Sequence, residues 1–128
     1  MKAIKIDVIK KNVYEIDVTK GNEDMYKHLN CDLFTLPIIL DNEDGLYVDD
    51  EALLREPEDQ HGAFMFAHYP SQYLFGHGLI IGCDNKGEQT DALSDLETIK
   101  SKVEFLDNDK IEEIQNNLLT RGFYIYEK

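Results

Sequence analysis

Tryptophan is absent from the chain, cysteine occurs twice, proline three times and arginine only twice, and bases are half as frequent as acids. Each scarcity excludes something. Cys31 and Cys83 stand 52 positions apart, a separation with neither zinc-type nor redox-type spacing, so no disulfide framework is expected and both read as free, buried thiols. With 13 Lys and Arg against 26 Asp and Glu, the formal charge is −13, and the isoelectric point is near 4.5. Such a balance argues against direct contact with nucleic acid or an anionic membrane, both of which need a positive footprint. No apolar run approaches the roughly 18 residues of a membrane span. Met1-Lys-Ala-Ile-Lys5 alternates where a signal peptide would run on apolar, so an intracellular chain is expected.

What is present suffices for a core. Apolar residues make up 42% of the 128 and aromatics 10%, too many for a disordered chain despite the charge. The length predicts one domain over residues 1–128. Acidity is concentrated: Asp41 to Asp59 holds nine of the acids and one base, Arg55, for a local charge of −8, whereas residues 1–40 balance six acids with six bases.

Alternation over residues 2–9 and 13–18 around Lys10-Lys11-Asn12 predicts an N-terminal hairpin. Asn22 is placed to cap a short helix, with Met25 and Leu29 inward and Asn30 as its stop. The most apolar stretch, Cys31 to Leu40, predicts a strand with an edge or bend at Pro37, returning through the turn at residues 41–45 as Leu46–Val48. Residues 49–62 read as an acidic irregular loop, Ala63–Phe66 as a short strand and His68–Gly78 as a shaped loop. Leu79–Cys83 reads as a buried strand leading into a hairpin turn at Asp84–Gly87. Ser94 and Glu97 fit a capping box for a helix to about Lys102, with Leu96 and Ile99 inward. A last helix runs from about Asp107 to Thr120, before a strand at Phe123–Tyr126 able to pair with a second copy. The sum is an α+β domain with a mixed, mainly antiparallel sheet and two or three short helices.

Catalytic and metal signals fail on spacing. Neither Gly45 nor Gly87 has an Asp five residues before it, as a calcium loop of the EF-hand type requires. His61, His68 and His77, with Cys83 and Asp84 beyond, are separated by seven, nine and six residues, which matches no common ligand motif. No local base or helix start activates either thiol. Gly76, Gly78 and Gly82 flank a strand and open no helix, so close backbone packing explains them better than a phosphate cradle. No catalytic residue, metal or cofactor is expected.

Two binding features remain. One is the acidic segment, in which Asp49, Asp50, Glu51, Glu56, Glu58 and Asp59 are the expected contacts for a protein with a basic surface. The other is the aromatic segment, where His68, Tyr69, Tyr73, Phe75 and His77, with Arg55 or Arg121 for phosphate, suit a small nucleotide ligand.

The segments Leu46-Tyr-Val-Asp-Asp-Glu-Ala-Leu-Leu54 and Gly78-Leu-Ile-Ile-Gly-Cys-Asp-Asn-Lys-Gly-Glu88, with Tyr69-Pro70 between them and Glu23–Asp32 before, carry a resemblance. Over roughly residues 1–105 the chain resembles an uncharacterised family of small proteins found mostly in bacteriophages, plasmids and other mobile elements. Ala52 stands where that pattern has glycine. The resemblance implies a mobile-element accessory protein in the bacterial cytoplasm and transfers no catalytic residue. A binding protein, such as an inhibitor of a host defence protein, is the leading expectation. A nucleotide-sequestering protein or a structural protein is the alternative.

Overall fold

In a computed structural model of the chain, the described residues are 1–51, 62–66 and 69–121, with side chains at 69–72, 115 and 117–121 left aside. The fold is α+β. Strands β1 (Lys2–Asp7) and β2 (Asn12–Asp17) form the predicted hairpin, turning at Lys11, whose φ is 52°. Helix α1 (Asn22–Leu29) follows, then β3 (Phe34–Ile39) and β4 (Gly45–Asp49), then β5 (Ala63–Phe66) and β6 (Tyr69–Phe75). The chain continues through β7 (Gly78–Cys83), β8 (Gln89–Thr90), α2 (Leu96–Lys102), β9 (Val103–Phe105) and α3 (Asn108–Arg121).

Six of the described strands make one sheet in the order β2-β1-β7-β4-β3, with β8 pairing the end of β7. A smaller sheet runs β6-β5-β9, and every pairing in both is antiparallel. The central strand is β7, matching Ile80 to Ile4 of β1 on one side and to Leu46 of β4 on the other. Its side chains alternate between two cores. Ile80 joins Ile4, Ile6, Leu46 and Val48 against Phe64, Phe66 and Leu74 of the small sheet and Ile99 of α2. Leu79 and Ile81 pack with Ala3 under Met25 and Leu29 of α1. A third cluster, Ala63, Phe75 and Leu106, takes Ile111 and Ile114 of α3.

Local chemistry accounts for most of the predicted boundaries. Asn30 ends α1 in the left-handed conformation at φ 54°, and Met25 and Leu29 are its buried residues. Pro37 lies in an edge strand whose register shifts between Thr35 and Ile38, which joins the expected edge and bend in one feature.

Four expectations need correction. The cap of α1 is Gly21, not Asn22, and Asp24 turns back to accept the Thr19 N–H at 2.8 Å. The cap of α2 is Asp95, accepting the Thr98 N–H at 3.1 Å, because the Ser94 hydroxyl is drawn to Asp44 at 2.6 Å. Most of the segment expected as a shaped loop is instead β6, held by pairing to β5, and Pro70 is tolerated because β6 is an edge strand. Cys31 is only half-buried, packed against the core under α1, and Cys83, the last residue of β7, is exposed, so neither thiol is fully buried. The expected strand at 123–126 and most of the acidic loop at 49–62 lie outside the described residues. Among the described residues no helix is long and apolar enough to cross a membrane.

The close approach of the two sheets falls at Gly78. A Cβ there would stand 2.9 Å from Phe64 Cζ, 3.1 Å from Leu46 Cδ1 and 3.2 Å from Ile6 Cδ1. At Gly82, an added Cβ would overlap the Asp91 carbonyl oxygen. Substituting Gly78→Ala should therefore cost about 1–3 kcal/mol by overpacking, read as a lower urea midpoint. A midpoint equal to the parent's would show that the sheets separate freely there.

Candidate functional site

The β3–β4 hairpin is built in two halves. At its base, Phe34 packs between Tyr26 of α1, in a tilted contact, and Tyr47 of β4, edge to face, with ring centroids at 5.0 and 5.5 Å. Burial, with Cys83 nearby, pushes the Tyr47 hydroxyl pKa up. Beyond these rings the cover ends. Leu36 lies across Gly45, its Cδ1 2.7 Å from where a Cβ would be, and remains 39% exposed. Leu33 at 53% and Ile39 at 60% are more exposed still.

Charge on this hairpin has one sign. Between Leu29 and Leu54 stand seven carboxylates and no Lys or Arg. Asp32, Asp41, Glu43, Asp50 and Glu51 are exposed, whereas Asp44 and Asp49 are buried. Exposed apolar side chains among mostly exposed carboxylates are what the open edge of the main sheet presents.

The hairpin tip is fixed by one buried carboxylate. Asp44, fully buried, accepts the N–H of Leu93 at 3.0 Å, the N–H of Ser94 at 2.8 Å and the Ser94 hydroxyl at 2.6 Å. The Asn42 side chain donates to Ser94 Oγ at 3.0 Å and accepts the Asp44 N–H at 3.0 Å. This lattice holds the turn against the approach to α2 and leaves a cleft of about 410 Å³ between them. Its apolar surface comes from Leu40, Leu93 and Ile99, and its charged groups are Asp41, Asp95 and Lys102.

A second buried polar cluster sits at the other end of β7. Asp7 Oδ1 accepts the N–H groups of Ile9 and Lys10, both at 3.0 Å, and Oδ2 accepts the Tyr14 hydroxyl at 2.7 Å. His77 Nδ1 accepts the Val8 N–H at 3.2 Å and lies 3.7 Å from Asp7 Oδ1. Burial raises the Asp7 pKa, but the hydrogen bonds from the Lys10 N–H and the Tyr14 hydroxyl, with the Lys5 charge nearby, hold the carboxyl below its ordinary value. Tyr14 is pushed up to about 12, first by burial and then by its bond to Asp7. The donors saturate this carboxylate, which makes the cluster a clamp on the β1–β2 turn.

The expected site residues separate. Asp50 and Glu51 are exposed beside the hairpin, while Asp49 is 7% exposed and accepts the Glu51 N–H at 2.9 Å. Arg55, Glu56, Glu58, Asp59, His61 and His68 lie outside the described residues. Tyr69 begins β6, and Arg121 ends α3. Tyr73 is 36% exposed, with Lys110 Nζ 5.6 Å from its ring centre, whereas Phe75 is core and His77 belongs to the Asp7 clamp. The aromatic segment thus does not gather its described side chains in one place. Leu33, Leu36 and Ile39 were hidden in an apolar run that reads as buried, and Pro37 is the signal that this strand lies at an edge.

The model of a domain of unknown function, DUF3846, matches residues 1–104. The chain belongs to this family. No curated protein and no solved structure matches it. The DUF3846 region ends within β9, so it contains the hairpin, the cleft and the Asp7 clamp and leaves α3 outside.

Two outcomes follow from the buried carboxylates. Removing the carboxylate with Asp44→Ala strands three donors and should cost about 3 kcal/mol or more, measured by urea unfolding. A cost below that of a surface substitution would show that the tip is not held by this group. For Asp7, the lowered pKa stabilises the fold above the ordinary carboxyl value of 3.8, and that contribution is lost as pH falls through the native value. Asp7→Asn should destabilise by about 1–3 kcal/mol at pH 7 and flatten the dependence of stability on pH below 4. An unchanged acid slope would assign that dependence to other carboxylates.

Proposed function

We propose that the chain is a non-catalytic binding protein whose β3–β4 hairpin docks on a cationic segment of another protein. The observation that carries this reading is the pairing of exposed Leu33, Leu36 and Ile39 with a stretch of seven acids and no base. Apolar contact supplies affinity, while the acidic field steers a basic partner and rejects an acidic one. A second copy presenting the same edge would be repelled by that field. Pro37 has no N–H, and the register shift beside it breaks the row of edge groups, so docking uses side chains in preference to strand addition. The acidic residues Asp50 and Glu51 extend the same field, and Glu56, Glu58 and Asp59 follow them in the chain.

The resemblance to proteins of phages and other mobile elements fits an inhibitor that occupies a host protein, including one used in defence. A nucleotide ligand is less well supported. The described cleft places two carboxylates against one lysine, a poor match for phosphate.

The test is to isolate a partner with tagged chain at low salt and measure its affinity as a purified pair. Raising salt from about 50 to 300 mM should weaken binding roughly tenfold or more. Leu36→Ser with Ile39→Ser should weaken it at least about tenfold, as expected for hot-spot positions. Affinity indifferent to both changes would overturn the reading.

A further inference from the structure

We propose that the cleft between the hairpin tip and α2 is a socket for a single lysine or arginine side chain of the docked partner. This rests on the docking reading above and names the partner's anchor. Three properties of the cleft lead to it.

The first is shape and lining. At about 410 Å³ the cleft falls in the size range of small-ligand sites, and Ile99, 1% exposed, gives it an apolar floor. Leu93, 72% exposed, stands at its wall. A long cationic side chain has the matching form, an aliphatic stem with a charged head.

The second is which polar groups remain available. Asn42 and Ser94 are committed to each other and to Asp44, so they are rigid wall and not recognition groups. Asp95 uses Oδ2 for the Thr98 N–H and hydroxyl, at 3.1 and 3.2 Å, and keeps Oδ1. Asp41 has no hydrogen bond or ion pair among the described residues, and its side chain is exposed. The two carboxylates therefore meet an incoming cation without first losing a partner.

The third is the lone cation. Lys102 lines the same cleft, and among the described residues no ion pair joins it to Asp41 or Asp95. It limits the socket to one positive charge and disfavours a diffusible polyamine, whose second ammonium would meet it. A protein source follows from the docking reading, since Leu40 and Asp41 continue directly from Ile39 into the hairpin tip.

The test uses the full 15N-labelled chain with no partner present. The probes are Nα-acetyl-arginine N-methylamide, its lysine and norleucine counterparts, and spermidine. The arginine or lysine probe should shift the amides of Asn42, Leu93, Thr98 and Lys102 saturably, with Kd on the order of 1–10 mM for so few atoms. The norleucine probe should bind at least about fivefold more weakly, since it lacks the charge. The double variant Asp41→Asn, Asp95→Asn should abolish the shifts; asparagine retains the helix cap, and an otherwise unchanged spectrum verifies the fold. Absence of saturable shifts, equal binding of norleucine, or binding of spermidine as tight as arginine would each overturn the proposal. In a second arm, the same double variant should weaken the isolated partner at least about tenfold with Leu36 and Ile39 intact. Probe binding with unchanged partner affinity would overturn the anchor role while leaving the hairpin reading standing. Loss of the hairpin reading alone would appear only in the salt and Leu36 measurements.

Discussion

The constraint on which the rest depends is that β7 must be covered on both faces and both edges. Five of its six residues are buried, and its apolar side chains alternate into separate cores. A strand of that kind demands partners distant in sequence, here β1 and β4. It also demands a layer above and a layer below, which α1 and the β6-β5-β9 sheet supply. Once β4 is committed to β7, β3 is left outermost. The exposed hairpin edge is thus a consequence of how the centre is satisfied.

The acidic excess divides into two populations with different physics. Asp7 and Asp44 are buried, saturated by donors, and hold turns in place. Asp32, Asp41, Glu43, Asp50 and Glu51 are solvated and set the field around the hairpin. The net charge of the segment is the same whichever group a residue joins, yet only the second group is available to a partner. Asp49 illustrates the difference, being one residue from exposed Asp50 and itself buried.

Local features were legible in the residues, and features made by distant contacts were not. The first hairpin, the stop at Asn30, the edge at Pro37 and the turn at Asp84–Gly87 each follow from a few neighbouring residues, as does the antiparallel α+β class. Strand β6 was hidden because Tyr69 and Pro70 look like turn chemistry until Phe66 of β5 pairs with Tyr69. The displaced cap at Asp95 depends on Asp44, fifty positions away from the serine it captures. The cleft joins the same two regions, so no local pattern announces it. A family of unknown function does cover residues 1–104, close to the extent expected from the residues, and it brings no chemistry with it.

Pro37 has a consequence for self-association. An edge strand flanked by exposed leucine and isoleucine is ordinarily a template on which further strands grow, and three such residues here are open to solvent. The missing amide hydrogen and the register shift deny an incoming strand a continuous ladder. The side chains stay adhesive while the backbone does not. A single imino acid thus leaves the apolar side chains of this edge in the open while withholding the backbone that a further strand would need.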